Sequence, residues 1–496
     1  KNIELGISRE TSRKSKVLLI GAGEAGVLAA REINRRGDLE LEIQGFVDDD
    51  PQKLGRSVLQ GYKVLGTTRD LSRLVSELNT DYVVIAIAQA SGKALRRIIQ
   101  RCEDLPVKVR IIPGLYEILD GRVEISHLRK IQIEDLLGRE KIELDEEAIS
   151  CEMTGKTVMV TGAGGSIGAE LARQVLRFSP SMLLLVERAE FALFEIDHEL
   201  KELNRSTSIA SLVGDVGDTA RMRSILSQYK PQVIIHAAAH KHVPLMECNV
   251  TEAVKNNVLA TRVLGELAGE AGADVFVLVS TDKAVRPTSV MGATKRFAEF
   301  VTQDLNRRFK TRFVAVRFGN VIGSTGSVIP IFLKQIHKGG PVTITDRRMK
   351  RYFMTIPEAA QLVLQASAIG RGGEVFILHM GEPLLITDLA ETLISLSGFK
   401  PYEDIEIIET GLRPGEKLCE ELRIEDEDRA ATEHPKIFIN DLGALDRETL
   451  DTALERVVQL VANRDEAGIL MFLSELIPES RLNGASKKTI ARASGM

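Results

Sequence analysis

Two segments of the chain begin with an apolar strand, a glycine-rich turn and then helical periodicity. They are KVLLIGAGEAG at residues 16–26 and KTVMVTGAGGSIG at residues 156–168. Short apolar runs alternate with amphipathic stretches after each; the runs are VVIAIA (83–88), KVRIIPG (108–114), LLLVER (183–188), VIIHAAAH (233–240), VFVLVS (275–280) and FVAVRFGN (313–320). Unbroken apolar runs are typical of parallel strands covered on both faces. Their alternation with helices predicts an α/β protein with two doubly wound sheets.

The same pattern indicates the domain boundaries. Residues 137–156 are charged and have little apolar periodicity, so we place the junction there. The alternation weakens after residue 326, which predicts a smaller mixed α/β lobe up to residue 422, and residues 445–465 have the spacing of an amphipathic helix. We expect four parts: a linker over 1–15, a Rossmann-like domain over 16–145, a second Rossmann-like domain with its lobe over 150–480, and a flexible tail over 483–496.

Composition narrows the possible functions. The 496 residues carry a net charge of −5, so no overall basic field exists to attract nucleic acid. The absence of Trp, with only 4% aromatic residues, argues against stacking platforms for bases or sugars. The four cysteines lie far apart without a C-x-x-C pair, so we expect neither a zinc site nor disulfides. Since no apolar run is long enough to span a bilayer, we expect no membrane span within the chain.

The second glycine turn has the chemistry of a dinucleotide site. Gly162, Gly165 and Gly168 lie between a strand and a helix, where glycine lets the backbone approach a pyrophosphate. Glu187 ends the next strand, about 20 residues on, where a carboxylate binds the ribose hydroxyls. We expect Asp215 to approach the adenine. Because a carboxylate repels a 2′-phosphate, Glu187 favours NAD over NADP, although the adjacent Arg188 weakens that preference.

Two other features leave their ligands open. The first glycine turn has the spacing G-x-G-x-x-G (Gly21, Gly23, Gly26), and acidic residues 48–50 follow the next strand. A degenerate nucleotide pocket and a purely structural turn explain it equally well. In HAAAHKHV (236–243) two histidines flank a lysine, but no acidic or Cys partner lies at zinc-site spacing. We therefore expect that loop to line a nicotinamide or sugar pocket and expect no metal.

The sequence STDKAV places Thr281, Asp282 and Lys283 at the carboxyl end of a predicted strand. Ligands of open α/β sheets bind at that end. A dehydration at carbon needs an acid to protonate the leaving hydroxyl and a base to take the C–H proton. A carboxylate next to an amine supplies both groups.

At this point the sequence resembles a known family. Its motifs occur in the family's order: TGAGGSIG, GDV, HAAAHKHVPLME, NNVLATRVL, STDKAVRPTSVMGATKR, RFGNVIGSTGSVIPIF, MTIPEAAQLV and GLRPGEKLCEEL. They resemble the extended short-chain dehydrogenase/reductase superfamily, and within it the nucleotide-sugar 4,6-dehydratases of the capsule and O-antigen type, which act on UDP-N-acetylglucosamine. The resemblance covers residues 155–423, and the preceding domain, with GFVDDDPQKLG and EDLLGR, fits the large members. It implies a location at the cytoplasmic face of the inner membrane, with membrane contact only through an anchoring region absent here.

The resemblance implies NAD-dependent dehydration of UDP-N-acetylglucosamine to the 4-keto-6-deoxy sugar nucleotide, with inversion at C5, for bacterial surface polysaccharide or glycan synthesis. The steps are oxidation at C4, elimination of water across C5 and C6, and return of hydride to C6. Lys283 would remove the C5 proton and Asp282 would protonate the departing C6 hydroxyl, with Thr281 beside them.

One position departs from the superfamily pattern. Met291 stands four residues before Lys295, where the superfamily usually has a Tyr that takes the hydroxyl proton of the sugar. A thioether has no proton to exchange, so the identity of the O4 base is open. Asp282, acting directly or through water, is the first candidate. Lys295 is expected to bind the nicotinamide ribose.

The implied binding residues form two groups. Those for the cofactor are Gly162, Gly165, Ser166, Ile167, Gly168, Glu187, Arg188, Asp215, Val216, Ala237, Ala238 and Lys295. Those for the substrate are Lys241, His242, Asn320, Ser327, Val328, Thr343, Arg351, Arg413 and Glu416. The arginines suit a diphosphate because the guanidinium fork matches phosphate geometry. We expect a homo-oligomer.

Two alternatives remain. A C4 epimerase of the same superfamily needs the oxidation step but no acid–base pair at C5 and C6, so the Asp282–Lys283 pair argues against it. A non-catalytic regulatory module that binds NAD or a nucleotide sugar is made credible by Met291.

Overall fold

The structure is a computed structural model that describes residues 14–35, 40–59, 61–87, 92–102, 105–112, 135, 142–203, 206–422, 429–440, 443 and 445–482. The chain forms two units, one of Lys1–Lys141 with Thr392–Asp404 and one of Ile142–Glu391 with Ile405–Met496. Residues 1–13 of the predicted linker and the whole predicted tail, 483–496, lie outside the described residues. So does EDLLGR, apart from Asp135. No helix in the described part is long and apolar enough to cross a membrane.

The first unit contains a six-stranded sheet. Its strands are β1 (Ser15–Ile20), β2 (Leu41–Val47), β3 (Ser57–Leu59), β4 (Tyr62–Gly66), β5 (Tyr82–Ile85) and β6 (Lys108–Ile111). Its helices are α1 (Glu24–Arg35), α2 (Leu71–Leu78) and α3 (Gly92–Cys102). The strand order is β3-β4-β2-β1-β5-β6, with β3 antiparallel to β4 and the other pairs parallel.

Both faces of β1 are covered, which explains its unbroken apolar run. Val17 and Leu19 pack in one buried cluster with Ala29 of α1, while Leu18 and Ile20 pack in another with α2 and α3. Successive side chains of a strand point to opposite faces, so a strand covered on both sides must be apolar at every position.

The second unit is larger. Its strands are β7 (Thr157–Thr161), β8 (Met182–Glu187), β9 (Ser208–Val213), β10 (Val233–His236), β11 (Val275–Val279), β12 (Arg312–Arg317), β13 (Asn320–Val321), β14 (Val342–Ile344), β15 (Lys350–Arg351), β16 (Phe353–Met354), β17 (Val375–Leu378), β18 (Leu384–Leu385), β19 (Ile407–Glu409), β20 (Arg429–Ala431) and β21 (Ile437–Asn440). Nine of them form a sheet in the order β20-β21-β17-β12-β11-β10-β7-β8-β9. From β17 to β9 the pairs are parallel, and β21 and β20 add an antiparallel edge.

Helices cover both faces of this sheet. The helices of the unit are α4 (Glu146–Met153), α5 (Ser166–Leu176), α6 (Glu190–Leu203), α7 (Thr219–Tyr229), α8 (Val243–Glu247), α9 (Val250–Val254), α10 (Ala260–Ala271), α11 (Val290–Arg308), α12 (Val328–His337), α13 (Ile356–Ile369), α14 (Ile386–Leu396, which begins in this unit), α15 (Arg447–Ala462) and α16 (Glu466–Leu476). The predicted fold class is confirmed: two α/β units, each with a largely parallel sheet. The amphipathic helix predicted over 445–465 is α15.

The smaller lobe contains three two-stranded sheets, β13 with β16, β14 with β19 and β15 with β18. Not all of the stretch from 326 to 422 belongs to it. Helix α13 packs on α4 and α5, and β17, whose four residues are all buried, returns to the main sheet beside β12. The weaker alternation in this stretch therefore reflects a chain that leaves the main sheet and comes back to it.

A buried ion pair fixes α11 against the main sheet. The Glu299 carboxylate accepts hydrogen bonds from the Arg317 guanidinium at 2.7 and 2.6 Å and from the Ser280 hydroxyl at 2.6 Å. Burial opposes ionisation of Glu299, but Arg317 and Arg296 hold the pKa of that carboxyl below its usual range. Charge-assisted bidentate pairs are geometrically specific. The pair joins the helix that carries Met291 to the end of β12, and the bond from Ser280 joins it to the end of β11, two residues before Asp282.

Candidate active site

The glycine turn between β7 and α5 leaves no room for a side chain at Gly162, Gly164 or Gly168. Gly162 has φ +68° and a Cβ there would lie 2.7 Å from the Ala238 nitrogen, so glycine is required by both conformation and space. A Cβ on Gly168 would overlap the carbonyl oxygen of Gly162. The start of α5 can therefore sit directly on the turn, which leaves backbone N–H groups facing any phosphate bound there.

A cavity of about 160 Å³ lies beside this turn. Eight predicted cofactor residues line it: Gly162, Gly165, Glu187, Arg188, Asp215, Val216, Ala237 and Ala238. Its other lining residues are Val186, Gly214 and Asn256, with Ala239 and His240 from the loop 236–243 that was expected to line a nicotinamide or sugar pocket. The Glu187 carboxylate accepts hydrogen bonds from the backbone N–H groups of Gly164 (3.2 Å), Arg188 (2.9 Å) and Ala189 (3.0 Å). The backbone thus fixes the position of the predicted ribose-binding group.

Arg188 and His240 face each other at the rim of this cavity. An Arg188 terminal nitrogen lies 3.5 Å from Nδ1 and 3.4 Å from Nε2 of His240. Burial, and then the neighbouring guanidinium, lowers the pKa of His240, so this imidazole favours its neutral form. A neutral histidine is a suitable neighbour for Arg188 because two cations would repel each other.

The other predicted cofactor residues lie on helices that begin at the site. Ser166 starts α5 and its hydroxyl accepts a hydrogen bond from the Thr325 N–H at 3.1 Å, while Ile167 packs against the core. Lys295 of α11 is buried, and burial lowers its pKa to about 8 against the opposing effect of Glu299. Met291, one helical turn earlier, is 3% exposed and packs in the core.

The predicted acid–base pair lies in the short turn after β11. Lys283 Nζ is 2.9 Å from Asp282 Oδ1 and 3.0 Å from Asn320 Oδ1, and the Thr281 hydroxyl donates to the same Asp282 oxygen at 2.9 Å. Asp282 is 1% exposed, and its Oδ2 has no hydrogen-bond partner among the described residues. Burial alone would lower the pKa of Lys283, but the carboxylates of Asp282 and Glu420 outweigh it and the pKa lies above its usual value.

A second cavity, of about 170 Å³, opens onto Lys283. Five predicted substrate residues line it: Lys241, His242, Asn320, Arg351 and Glu416. Its other lining residues are Val243, Pro244, Thr288, Ser289, Gly415, Lys417 and Glu420. The remaining four predicted substrate residues do not line it. Ser327 and Val328 start α12, Thr343 lies in β14 bonded to Gln335, and Arg413 is exposed.

Arg351 makes backbone hydrogen bonds that sequence reasoning did not predict. Its guanidinium donates to the carbonyls of Lys350 (2.8 Å), Leu418 (3.2 Å) and Lys417 (2.8 Å). These bonds occupy most of the donors expected to reach a diphosphate. Arg351 also fixes the segment that carries Glu420, whose Oε1 lies 3.8 Å from both Lys283 Nζ and the Arg351 guanidinium.

Two buried polar residues were missed by sequence reasoning. Glu420 is 5% exposed and its Oε2 has no hydrogen-bond partner among the residues that the structure covers. Asn257 is fully buried; its side chain accepts from the His240 N–H at 2.8 Å and donates to the His240 carbonyl and the Thr294 hydroxyl, both at 3.1 Å. It therefore attaches the histidine-containing loop to α11. The paired Glu of CEEL and the paired Asn of KNNV were the available signals.

The first unit has a cavity of its own, of about 620 Å³, at its glycine turn. Asp48 accepts from the Ala22 N–H at 2.8 Å and from Lys53 Nζ at 2.9 Å, an arrangement comparable to that of Glu187 in the second unit. Asp49 accepts from the N–H and hydroxyl of Thr68. These bonds hold both carboxylates to neighbouring groups of the protein and do not select a ligand, so both explanations of the turn stay open.

Among the described residues, no group of three or more His, Cys, Asp or Glu side chains is arranged to bind a metal ion. His236, the first histidine of the loop motif, is fully buried between the hydroxyls of Thr161 (2.7 Å) and Thr261 (3.0 Å). Burial lowers its pKa to about 3, so it is a neutral structural residue.

Comparison with known proteins decides the family. A family described as "Polysaccharide biosynthesis protein" matches residues 158–441, and one described as "CoA-binding domain" matches residues 4–113. The capsular polysaccharide biosynthesis protein CapD of Staphylococcus aureus is 45% identical over 447 residues, which are 90% of this chain and 74% of that protein. The chain belongs to the polysaccharide biosynthesis protein family. It is a nucleotide-sugar-modifying enzyme of the extended short-chain dehydrogenase/reductase superfamily, so the predicted resemblance is confirmed.

Two relatives with different activities have the same percentage identity to this chain. A UDP-N-acetylglucosamine 4,6-dehydratase (inverting) of Campylobacter jejuni is 34% identical over 271 residues, 54% of this chain and 77% of that enzyme. A UDP-glucose 4-epimerase of Rickettsia akari is 34% identical over 302 residues, 60% of this chain and 83% of that enzyme. Overall identity therefore does not choose between dehydration and epimerisation, and the choice depends on the site.

Proposed function

We propose that this chain is an NAD-dependent UDP-N-acetylglucosamine 4,6-dehydratase that inverts C5. The observation that carries the proposal is the ion pair of buried Asp282 and partly buried Lys283, 2.9 Å apart at the carboxyl end of β11. Burying two charges costs desolvation, so such a pair is expected where chemistry needs it. A C4 epimerase needs no acid and base at C5 and C6. The relative that is a UDP-N-acetylglucosamine 4,6-dehydratase supports the choice of substrate.

The second unit's glycine turn and 160 Å³ cavity fit the adenosine half of NAD. Gly162 and Gly165 leave space for the pyrophosphate, Glu187 is oriented for the ribose hydroxyls, and Lys295 is expected to bind the nicotinamide ribose. When bound, NAD would accept a hydride from C4, and its reduced form would return a hydride to C6. The protein residues then have to manage only protons.

Proton transfer can be assigned so that every atom balances. The unpartnered Oδ2 of Asp282 accepts the O4 proton as C4 is oxidised, and Asp282 then gives that proton to the C6 hydroxyl, which leaves as water. The amine of Lys283 takes the C5 proton, which the adjacent ketone has made acidic, and a proton is later restored to C5. Asp282 thereby does the work that the superfamily's Tyr does, and Met291 only packs beside the site.

The product formed in deuterium oxide tests this function. We expect the purified chain to convert UDP-N-acetylglucosamine to a 4-keto-6-deoxy sugar nucleotide. NMR should find deuterium at C5 and none in the C6 methyl group, because the hydride at C6 comes from C4. A product epimerised at C4 with its C6 hydroxyl intact would identify an epimerase. Absence of turnover with NAD bound would favour the non-catalytic module.

The bound cofactor should accompany the protein through purification, because the reaction regenerates NAD in place. Denaturing the purified protein and identifying the released nucleotide by mass spectrometry checks this. We expect NAD, since Glu187 lines the cavity proposed for the adenosine half and its carboxylate would repel a 2′-phosphate. Release of NADP would instead mean that Arg188 binds that phosphate. If NAD is the bound cofactor, a Glu187→Gln variant should retain less of it after purification. Glu190 is an exposed neighbour, so a Glu190→Gln variant should retain as much NAD as the wild type.

A further inference from the structure

Lys283 is poorly prepared to act as a base. Its ammonium lies 2.9 Å from Asp282 and 3.0 Å from the Asn320 amide oxygen, and the pKa of its amine is raised because the nearby carboxylates outweigh burial. An ammonium has no lone pair with which to take the C5 proton. The amine must therefore lose a proton before elimination, and a group at the site has to receive it.

Asp282 is not suited to be that receiver. In the proposed reaction it takes the O4 proton and gives it to the C6 hydroxyl, so it already carries one proton when Lys283 must act. Asn320 contributes only an amide oxygen, which does not take a proton in this range. A second carboxylate in contact with the amine is needed.

Glu420 has the required position. Its Oε1 lies 3.8 Å from Lys283 Nζ, and a side-chain movement of about 1 Å brings the two atoms to hydrogen-bond distance. It lines the same cavity as Lys283, is 5% exposed, and its Oε2 has no partner among the described residues. The bonds from Arg351 to the carbonyls of Lys417 and Leu418 fix the segment that carries it.

We propose that Glu420 is the internal proton acceptor that converts the ammonium of Lys283 into the free amine that acts at C5; this rests on the function proposed above. One N–H bond of Lys283 breaks and one O–H bond forms on Glu420, with no change of oxidation state. The amine then takes the C5 proton and becomes an ammonium. Inversion then requires a solvent proton to reach C5 on the face opposite Lys283, and Glu420 releases its own proton to the solvent, which restores the starting charges of Lys283 and Glu420. Glu420 is a positioning and proton-holding residue, since it acts through Lys283.

The charges around Glu420 agree with this role. Burial raises the pKa of the Glu420 carboxyl, and Asp282 adds to the effect, whereas Lys283, Arg351 and Lys417 oppose it. The cavity also holds Lys241, His242 and Glu416. A buried carboxylate with a raised pKa accepts a proton more readily than an exposed one, and the transfer replaces a buried ion pair by two neutral groups.

Glu420→Gln tests the proposal, because glutamine keeps the shape but cannot accept the proton. Glu421→Gln is the matched control, since that neighbouring side chain is 41% exposed and pairs with Lys417 and Arg286 instead. We expect Glu420→Gln to lower kcat at neutral pH by about 10²-fold or more, the usual effect of losing a positioned proton acceptor. The loss should shrink as pH rises, because the solvent can then take the Lys283 proton. Glu421→Gln should match the wild type.

A second measurement follows Lys283 itself. The rate at which acetic anhydride labels Lys283 in the purified holoenzyme, read by peptide mass spectrometry against pH, reports the protonation of its amine. The midpoint should move to lower pH in Glu420→Gln, because a carboxylate that stabilises the ammonium is gone. A purely electrostatic role would then make this variant faster at neutral pH. The proposal requires it to be slower.

Three results would overturn the proposal: a wild-type rate in Glu420→Gln, an equal loss at every pH, or an unchanged labelling midpoint. Glu420→Asp guards against misfolding, since it keeps an ionisable group and should preserve the shape of the pH profile at a reduced rate. If the wild type itself does not eliminate water, the proposed function has failed. If the wild type eliminates and Glu420→Gln equals Glu421→Gln, only the role of Glu420 has failed.

Discussion

We expect Lys283→Ala to lower kcat by about two to four powers of ten, the usual range for a positioned acid or base. The variant removes the amine that takes the C5 proton while leaving the glycine turn, Glu187 and Asp282 in place. Oxidation at C4 does not use that amine. Reduced nicotinamide should therefore form on mixing with substrate and then persist, because elimination and hydride return are blocked.

Stopped-flow absorbance of the reduced nicotinamide, together with product analysis, separates these steps. A small amine such as ethylamine should restore part of the turnover, since alanine leaves space where the lysine side chain stood. Rescue of this kind distinguishes a missing base from a disturbed fold. Wild-type incorporation of solvent deuterium at C5 in Lys283→Ala would contradict the assignment of Lys283 as the base.

The features predicted well from the sequence are those determined by neighbouring residues. The spacing of Gly162, Gly165 and Gly168 reflects backbone contacts within one turn, and Glu187 belongs to the strand next to it. Asp282 and Lys283 are adjacent in the chain, so their proximity followed once the strand before them was recognised. The unbroken apolar runs predicted the strands correctly because burial on both faces of a sheet requires an apolar residue at every position of a strand.

The missed features depend on contacts between distant parts of the chain. Glu420 and Glu421 are adjacent and chemically identical, yet one is buried against Lys283 and the other is half-exposed. Which one turns inward depends on how Arg351 bonds the preceding carbonyls, and this cannot be inferred from spacing. That Arg351 helps to bind a diphosphate stays a prediction, because residue type shows which bonds a guanidinium can make and not which ones the fold already uses.

Asp282→Asn should affect more steps than Lys283→Ala, because Asp282 is proposed to transfer a proton both in the oxidation at C4 and in the loss of the C6 hydroxyl. Its unpartnered Oδ2 is proposed to accept the O4 proton and then to give it to the C6 hydroxyl. The side-chain amide of asparagine can neither accept nor give up a proton in this way. We expect both the appearance of reduced nicotinamide and product formation to slow, with kcat falling by about two to four powers of ten.

Met291→Leu provides the comparison for Asp282→Asn, since Met291 occupies the superfamily's Tyr position but is buried in the core. The exchange keeps volume and apolarity, and such exchanges usually cost less than about 1.5 kcal/mol of stability. It should therefore retain substantial oxidation at C4, measured in the same single-turnover experiment. If Met291→Leu folds and binds both ligands but does not oxidise C4, the thioether does more than pack. If Asp282→Asn oxidises C4 at the wild-type rate and stalls only at elimination, the O4 proton goes elsewhere, and Thr281, whose hydroxyl lies 2.9 Å from Asp282, becomes the first candidate to accept it.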